Sequence, residues 1–137
     1  MLKTFLALAL ALPAVFAWAN HRDKPEQVEA FYIALDNFVY IREPRGLDMH
    51  IRYATHERRF AGDCEDFAFT LQSAIGGEVW IVEHEGVVKH AVLLSEGVVY
   101  DSLYKHPIKV ERYPTAFISP LKFRGRMINN LPRTKKS

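Results

Sequence analysis

The chain has 137 residues, of which 49% are hydrophobic and 25% are charged. This composition is typical of a globular protein and excludes a disordered or fibrous chain. A formal net charge of +2 gives no field strong enough to indicate a nucleic-acid partner. We therefore expect one domain, with the basic residues at 133–137 forming a solvated terminus.

Residues 1–19 have the pattern of an export signal. Lys3 gives a positive start, an apolar run follows at 5–12, and Ala-Trp-Ala at 17–19 has the small-x-small pattern that signal peptidase cleaves. We predict cleavage before Asn20, a mature domain over 20–137, a periplasmic or secreted location, and no stable membrane span after cleavage. An uncleaved anchor is the alternative, although the apolar run is short for a span.

Cys64 is the one cysteine of the chain. Small exported proteins usually pair their cysteines in disulfides. A lone thiol is therefore either a buried apolar side chain or a reactive group, and the count alone leaves both interpretations open.

The mature chain begins with a helical pattern. Pro25 precedes apolar residues at steps of three and four, which predicts a helix that packs on a core and ends before the Glu-Pro-Arg-Gly turn at 43–46. Residues 47–61 show no sustained period and are predicted to form a loop or a short irregular element that leads to the next helix. The apolar stripe of the helix consists of Val28, Phe31, Tyr32, Leu35, Phe38 and Val39.

A second helix is predicted to begin after Asp63, which can cap the first backbone amides. Asp66, three positions later, completes a capping box with a shorter acid. The helix is expected to end at the glycine pair 76–77. Its buried face consists of Cys64, Phe67, Ala68, Leu71, Ala74 and Ile75, so the thiol lies in the first turn.

From residue 78 onward, short β-branched runs alternate with turn residues, which is typical of antiparallel hairpins. The tetrapeptide Glu-Gly-Val-Val occurs at 85–88 and at 96–99, and each copy separates two such runs. We predict strands near 78–84, 88–95, 98–103 and 118–127. Together with the helices, these strands predict an α+β fold.

The turn at 96–97 predicts which histidine and which acid meet. A two-residue turn pairs Val92 with Asp101, and His90 points to the same side of its strand as Val92. His90 and Asp101 then share a face as diagonal neighbours, close enough for contact. A sheet histidine without a chemical role and an acid at a strand edge are the alternatives.

The turn at 85–86 gives the corresponding prediction for His84. A tight turn there pairs Ile81 with His90 and puts His84 on the opposite face, so His84 is not expected to be the base. A shift of one residue in the pairing of the two strands would put His84 on the same face as His90. The remaining histidines are His50, His56 and His106. Their spacing to one another, to the cysteine and to the acids is not that of a zinc site, and we predict that they are solvated.

Cys64, His90 and Asp101 have the residue types of a thiol-hydrolase triad: a nucleophile, its base, and a group that orients the base. A cysteine in the first turn of a helix gains from the positive end of the helix dipole, which lowers its pKa. The acids at 63, 65 and 66 oppose this effect. A protonated His90 would have to supply much of the lowering.

Three segments resemble the bacterial transglutaminase-like cysteine peptidases, and the resemblance covers most of the mature chain. They are Ala-Gly-Asp-Cys-Glu-Asp-Phe-Ala at 61–68, Lys-His-Ala-Val-Leu at 89–93 and Val-Tyr-Asp-Ser-Leu at 99–103. The resemblance implies a papain-like α+β fold in which the cysteine helix packs on an antiparallel sheet that carries the histidine and the aspartate. It also implies hydrolysis of an amide in a protein or peptide through a thioester intermediate.

The resemblance carries two further expectations. Some members are calcium-dependent periplasmic proteases with acids beside the cysteine among the metal ligands, which implies calcium on Asp63, Glu65 and Asp66. Helix capping explains the same acids without a metal, and the triad itself requires no cofactor. Tyr53 stands where the family often has an aromatic residue and is a candidate for the oxyanion site, beside the backbone amide of Cys64.

The residues leave the fate of the thioester open. A transglutaminase would pass it to an amine, and a peptidoglycan amidase or endopeptidase would act on a cell-wall peptide. A binding module would keep the fold without turnover. The chain is shorter than the larger members, with 26 positions from Cys64 to His90. We therefore expect it to lack the loops that build their substrate clefts, which leaves the substrate open.

Overall fold

The computed structural model describes residues 24–42 and 49–132, apart from the side chains of 87–89. Over these residues the fold is α+β, as predicted, with two helices and nine strands. The predicted export signal, the turn at 43–46 and the basic C-terminal residues lie outside the described part of the chain. No helix within the described ranges is long and apolar enough to cross a membrane.

Helix α1 (Pro25–Asn37) begins with a proline in its first turn, where the missing amide costs nothing. Its buried face is rotated from the predicted stripe, because Tyr32 is exposed and Val28 is half-buried. The residues buried instead are Gln27, Ala30, Phe31 and Ala34. The helix ends at Asn37, and the aromatic and β-branched residues that follow form strand β1 (Phe38–Tyr40) instead of continuing it.

Two short strands replace part of the predicted loop. β2 (His50–Tyr53) and β3 (Phe60–Gly62) lie within 47–61, so the loop prediction was wrong there. β3 pairs with β1, and β2 pairs with β9 (Gly125–Ile128); both pairs are parallel. Strands of three or four residues are too short to show a period in the sequence. β3 leads directly into the helix that begins with Cys64.

Helix α2 (Cys64–Ile75) has the predicted bounds and the predicted capping box. It ends at Gly76, whose φ of 76° suits glycine at this position. Ala74 is exposed and Ile75 is half-buried, so the buried face is shorter than predicted. β2 packs against a second side of the helix and widens the buried face, which consists of Asp66, Phe67, Ala68, Phe69, Thr70 and Leu71.

A five-stranded antiparallel sheet carries the rest of the fold, in the order β7-β6-β5-β4-β8. Its strands are β4 (Glu78–His84), β5 (Val87–Ser95), β6 (Val98–Tyr100), β7 (Ile108–Lys109) and β8 (Phe117–Pro120). Both hairpin turns contain two residues with positive φ, as tight hairpins of this hand require. β6 is shorter than predicted, and the predicted strand at 118–127 is divided between β8 and β9.

The sheet is buried on both faces, because alternate residues of its strands enter two clusters. Ala91 and Leu93 belong to the main core, which lies between the sheet and the helices. Val92 belongs to a smaller cluster on the other face. That cluster contains Val82, Val92 and Val99, with Trp80, Leu94, Val110, Tyr113 and Phe117 packed against it.

Candidate active site

The structure brings His90 and Asp101 into direct contact. Nε2 of His90 lies 2.6 Å from Oδ1 of Asp101. Strands β5 and β6 have the register that a two-residue turn predicts, with Leu93 opposite Tyr100. Because Nε2 faces a carboxylate, the contact favours the tautomer with hydrogen on Nε2 and makes Nδ1 the basic nitrogen.

Asp101 is fully buried, and both of its oxygens accept hydrogen bonds. Oδ1 also accepts from the amide of Leu103 at 2.9 Å, and Oδ2 accepts from the hydroxyl of Tyr113 at 2.6 Å. Burial by itself would raise the pKa of Asp101, but the donors from His90, Tyr113 and Leu103 outweigh it and hold the pKa below its ordinary value. The carboxylate is therefore ionised at neutral pH.

Asp101 stands just beyond the end of β6, where the chain turns back. The amide of Tyr104 donates to its carbonyl at 3.0 Å and closes the turn. Because Asp101 lies outside the paired part of β6, its side chain is held by its hydrogen bonds to His90, Leu103 and Tyr113. Tyr113 was missed in the sequence, because a tyrosine after a 3-10 helix (Val110–Arg112) has no local pattern that points to a distant carboxylate.

Cys64 is the first residue of α2 and is half-buried. The backbone of Ala91, the residue after His90, hydrogen-bonds the sulfur. β6 pairs with β5 only at residues 93–95 and ends before it would pair with Ala91. Ala91 belongs to the core face of β5, whereas His90 alternates to the face of Val92.

The thiol is neutral in this environment. Burial raises the pKa of Cys64 to about 12; the hydrogen bond from Ala91 opposes the shift, and the charges of Asp63 and Glu65 add to it. Desolvation is the largest of these effects, and the pKa is raised although the position in the first turn was expected to lower it. A nucleophilic role needs a base to take the proton.

His84 lies on the same face as His90, and the prediction that it lies on the opposite face was wrong. Val82, not Ile81, is opposite His90, and the register shifts between Val82 and Glu83. β5 advances two residues there while β4 advances one, which is a β-bulge. The rings of His84 and His90 consequently lie 5.3 Å apart.

His50 was predicted to be solvated, and the structure shows it buried. Its Nδ1 accepts a hydrogen bond from the amide of Arg124 at 3.0 Å, and Nε2 lies 3.3 Å from Oε2 of Glu65. The ring stacks on Phe69 at 4.8 Å. The reason is that β2, which carries His50, lies between α2 and β9. His106 is exposed, as predicted.

The acids beside Cys64 serve the start of the helix. Oδ1 of Asp63 accepts from the amides of Glu65 and Asp66 at 3.1 and 3.2 Å. Asp66 accepts from the amide of Asp63 at 3.1 Å and from that of Ile51 at 2.8 Å. A Cβ on Gly62 would overlap the Asp66 carboxylate. Among the described residues, no three histidine, cysteine or acidic side chains are grouped to hold a metal ion.

Tyr53 lies in the core near the start of α2. Its hydroxyl donates to the carbonyl of Ala61 at 2.5 Å, and its backbone amide donates to the hydroxyl of Thr70 at 3.1 Å. Burial raises its pKa, so the phenol stays protonated. Since its one proton is bound to Ala61, the hydroxyl is not directed at an oxyanion in this arrangement.

Comparison with known proteins gives no relative: no protein-family model, curated protein or solved structure matches the chain. The chemistry of the site therefore rests on its own residues and their geometry.

Proposed function

We propose that the protein is an exported thiol hydrolase of the transglutaminase-like kind, with a papain-like arrangement of helix and sheet, which cleaves a peptide amide. The observation that carries the proposal is the 2.6 Å contact between His90 and the buried, ionised Asp101. A catalytic imidazole needs a fixed tautomer and a nearby negative charge to stabilise its protonated form, and Asp101 supplies both.

The proposed mechanism assigns one step to each residue. In this proposal His90, whose neighbour Ala91 binds the sulfur through its backbone, accepts the thiol proton while the Cys64 sulfur attacks the amide carbonyl, and the backbone amide of Cys64 stabilises the oxyanion. His90 returns the proton to the leaving amine, which leaves a thioester. Water then attacks the thioester with His90 as the base, releasing the acid and restoring the thiol. No step draws on calcium.

A non-catalytic binding module on the same fold is the second candidate, and the state of Cys64 favours it. Its raised pKa and its approach to the backbone of Ala91 are also what a buried, inert cysteine would show. The two candidates differ in one respect: in the hydrolase, the reactivity of the thiol depends on His90.

Labelling of the purified protein with iodoacetamide across pH separates the two candidates. We expect labelling near neutral pH that slows by roughly tenfold or more in His90→Ala, because a general base contributes at least that much. His106→Ala is the matched control, since it removes an exposed histidine, and its labelling should equal that of the wild type.

A thiol that reacts only far above neutral pH, equally in wild type and His90→Ala, would contradict the hydrolase. If the thiol is activated, incubation with a peptide and a labelled primary amine shows whether water or the amine takes the acyl group. Release of peptides from purified sacculi identifies a cell-wall substrate. Repeating the labelling with a calcium chelator checks whether a metal contributes.

A further inference from the structure

The two oxygens of Asp101 are held by different parts of the chain. Oδ1 accepts from His90 and from the amide of Leu103, both close to Asp101 in the hairpin. Oδ2 accepts from the hydroxyl of Tyr113, which arrives from the segment after the 3-10 helix. A carboxylate anchored at both oxygens cannot rotate about its Cβ–Cγ bond, so Oδ1 stays directed at Nε2 of His90.

Burial makes the Tyr113 hydrogen bond important for charge as well as for geometry. Asp101 is fully buried, so water cannot replace a lost donor. A buried charged oxygen without a donor is costly, and hydrogen bonds to charged groups contribute more than those between neutral groups. The phenol thus stabilises the ionised form of Asp101 as well as its orientation.

The hydroxyl of Tyr113 is itself held in place. The amide of Tyr113 donates to the carbonyl of Val110 at 3.2 Å, which closes the 3-10 turn. The ring lies 5.6 Å from that of Phe117 and packs on the cluster around Val92. Tyr113 therefore reaches Asp101 from a packed segment and not from a free loop.

We infer that Tyr113 is a positioning residue that fixes the Asp101 carboxylate against His90, extending the Cys-His-Asp arrangement to a fourth side chain. The importance of this role for turnover rests on the proposed function, whereas the effect on Asp101 does not.

Among the described residues, few titratable groups face Asp101 and Tyr113. His90 approaches Asp101 from β5, with His84 of β4 packed on its ring at 5.3 Å. The ring of Tyr104 lies 6.3 Å from that of Tyr113. Burial and the contact with Asp101 raise the pKa of Tyr113, so its hydroxyl remains a donor across the working pH range.

The direct test is an NMR titration of the Asp101 carboxyl carbon in wild type and in Tyr113→Phe, which removes only the hydroxyl. We expect the carboxyl group to bind protons roughly tenfold more tightly in the variant, because its anion has lost a donor. Tyr32→Phe is the matched control: it removes a hydrogen-bonded hydroxyl, 2.9 Å from Nδ1 of His106, on the exposed side of α1. Its Asp101 titration should not move.

The kinetic test uses the same variants on a peptide substrate. We expect kcat of Tyr113→Phe to fall roughly tenfold or more with little change in KM, and the acid limb of the pH profile to move to higher pH. A residue with only a structural role would lower the melting temperature and leave the acid limb and the Asp101 titration unchanged.

The outcomes separate this inference from the proposed function. If the Asp101 titration shifts but the thiol is unreactive, the proposal of a thiol hydrolase is wrong, and Tyr113 still positions Asp101. An unshifted titration in an active enzyme would overturn the role of Tyr113.

If Tyr113→Phe does not fold, 3-fluorotyrosine at this position keeps the ring and strengthens the donor. It should lower the pKa of Asp101, and no shift would overturn the inference.

Discussion

At the scale of single residues, the site combines an ionised acid with a neutral thiol. Asp101 keeps its charge because three donors surround it, whereas desolvation keeps the half-buried thiol of Cys64 neutral. The two groups therefore relate to His90 in different ways: Asp101 gains a donor from it, whereas in the proposed mechanism Cys64 needs it as a base.

Asp101 should make stability depend on pH in a defined direction. Its pKa is depressed in the folded state, so it contributes stability above its unfolded pKa, and that contribution is lost as pH falls through the lower folded value. Urea unfolding at neutral pH and near pH 3 should show a loss of stability in the wild type that is smaller in Asp101→Asn. Equal losses in both proteins would mean that Asp101 does not contribute to the pH dependence.

Asp101→Asn also tests the orienting role of the carboxylate. Asparagine nearly keeps the volume but not the charge, and we expect kcat to fall by on the order of a thousandfold or more, as when a triad aspartate is lost. Circular dichroism checks that the variant is folded. Activity close to that of the wild type would show that His90 does not need the acid.

At the scale of secondary structure, the sequence predicted the elements whose signals are local. The capping box set the start of α2, and the two-residue turn set the β5–β6 register that joins His90 to Asp101. The β-bulge beside His90 had no such signal, and it puts His84 on the same face as His90. The parallel pairing of β2 with β9 joins segments far apart in the chain, and neither is long enough to show a period.

The capping box gives a stability prediction that also tests for calcium. Asp63→Ala should lower the free energy of unfolding by about 1 kcal/mol, and Asp63→Asn should lose much less, because asparagine also caps helices. Thermal melts should not change when calcium is added or chelated. A melting temperature that rises with calcium, and does so less in Asp63→Asn, would instead assign these acids to a metal site.

At the scale of the whole molecule, the C-terminal part of the chain supports the cysteine helix indirectly. β9 pairs with β2, and the amide of Arg124 donates to the buried ring of His50. β2 in turn packs on α2 and binds the capping acid, since the amide of Ile51 donates to Asp66. The position of Cys64 therefore depends on residues far from it in the chain.

Two truncated chains distinguish the support that β9 gives to α2 from any contribution of the residues after Pro132. A chain that stops after Phe123 loses β9 and leaves His50 without the Arg124 amide, and we expect the free energy of unfolding to fall by about 2 to 5 kcal/mol. A chain that stops after Pro132 keeps β9 and should unfold like the full protein. Because β2 would no longer be held against α2, the labelling of Cys64 by iodoacetamide should lose its dependence on His90 in the shorter chain. Equal stability of the two truncated chains would show that β9 does not support α2.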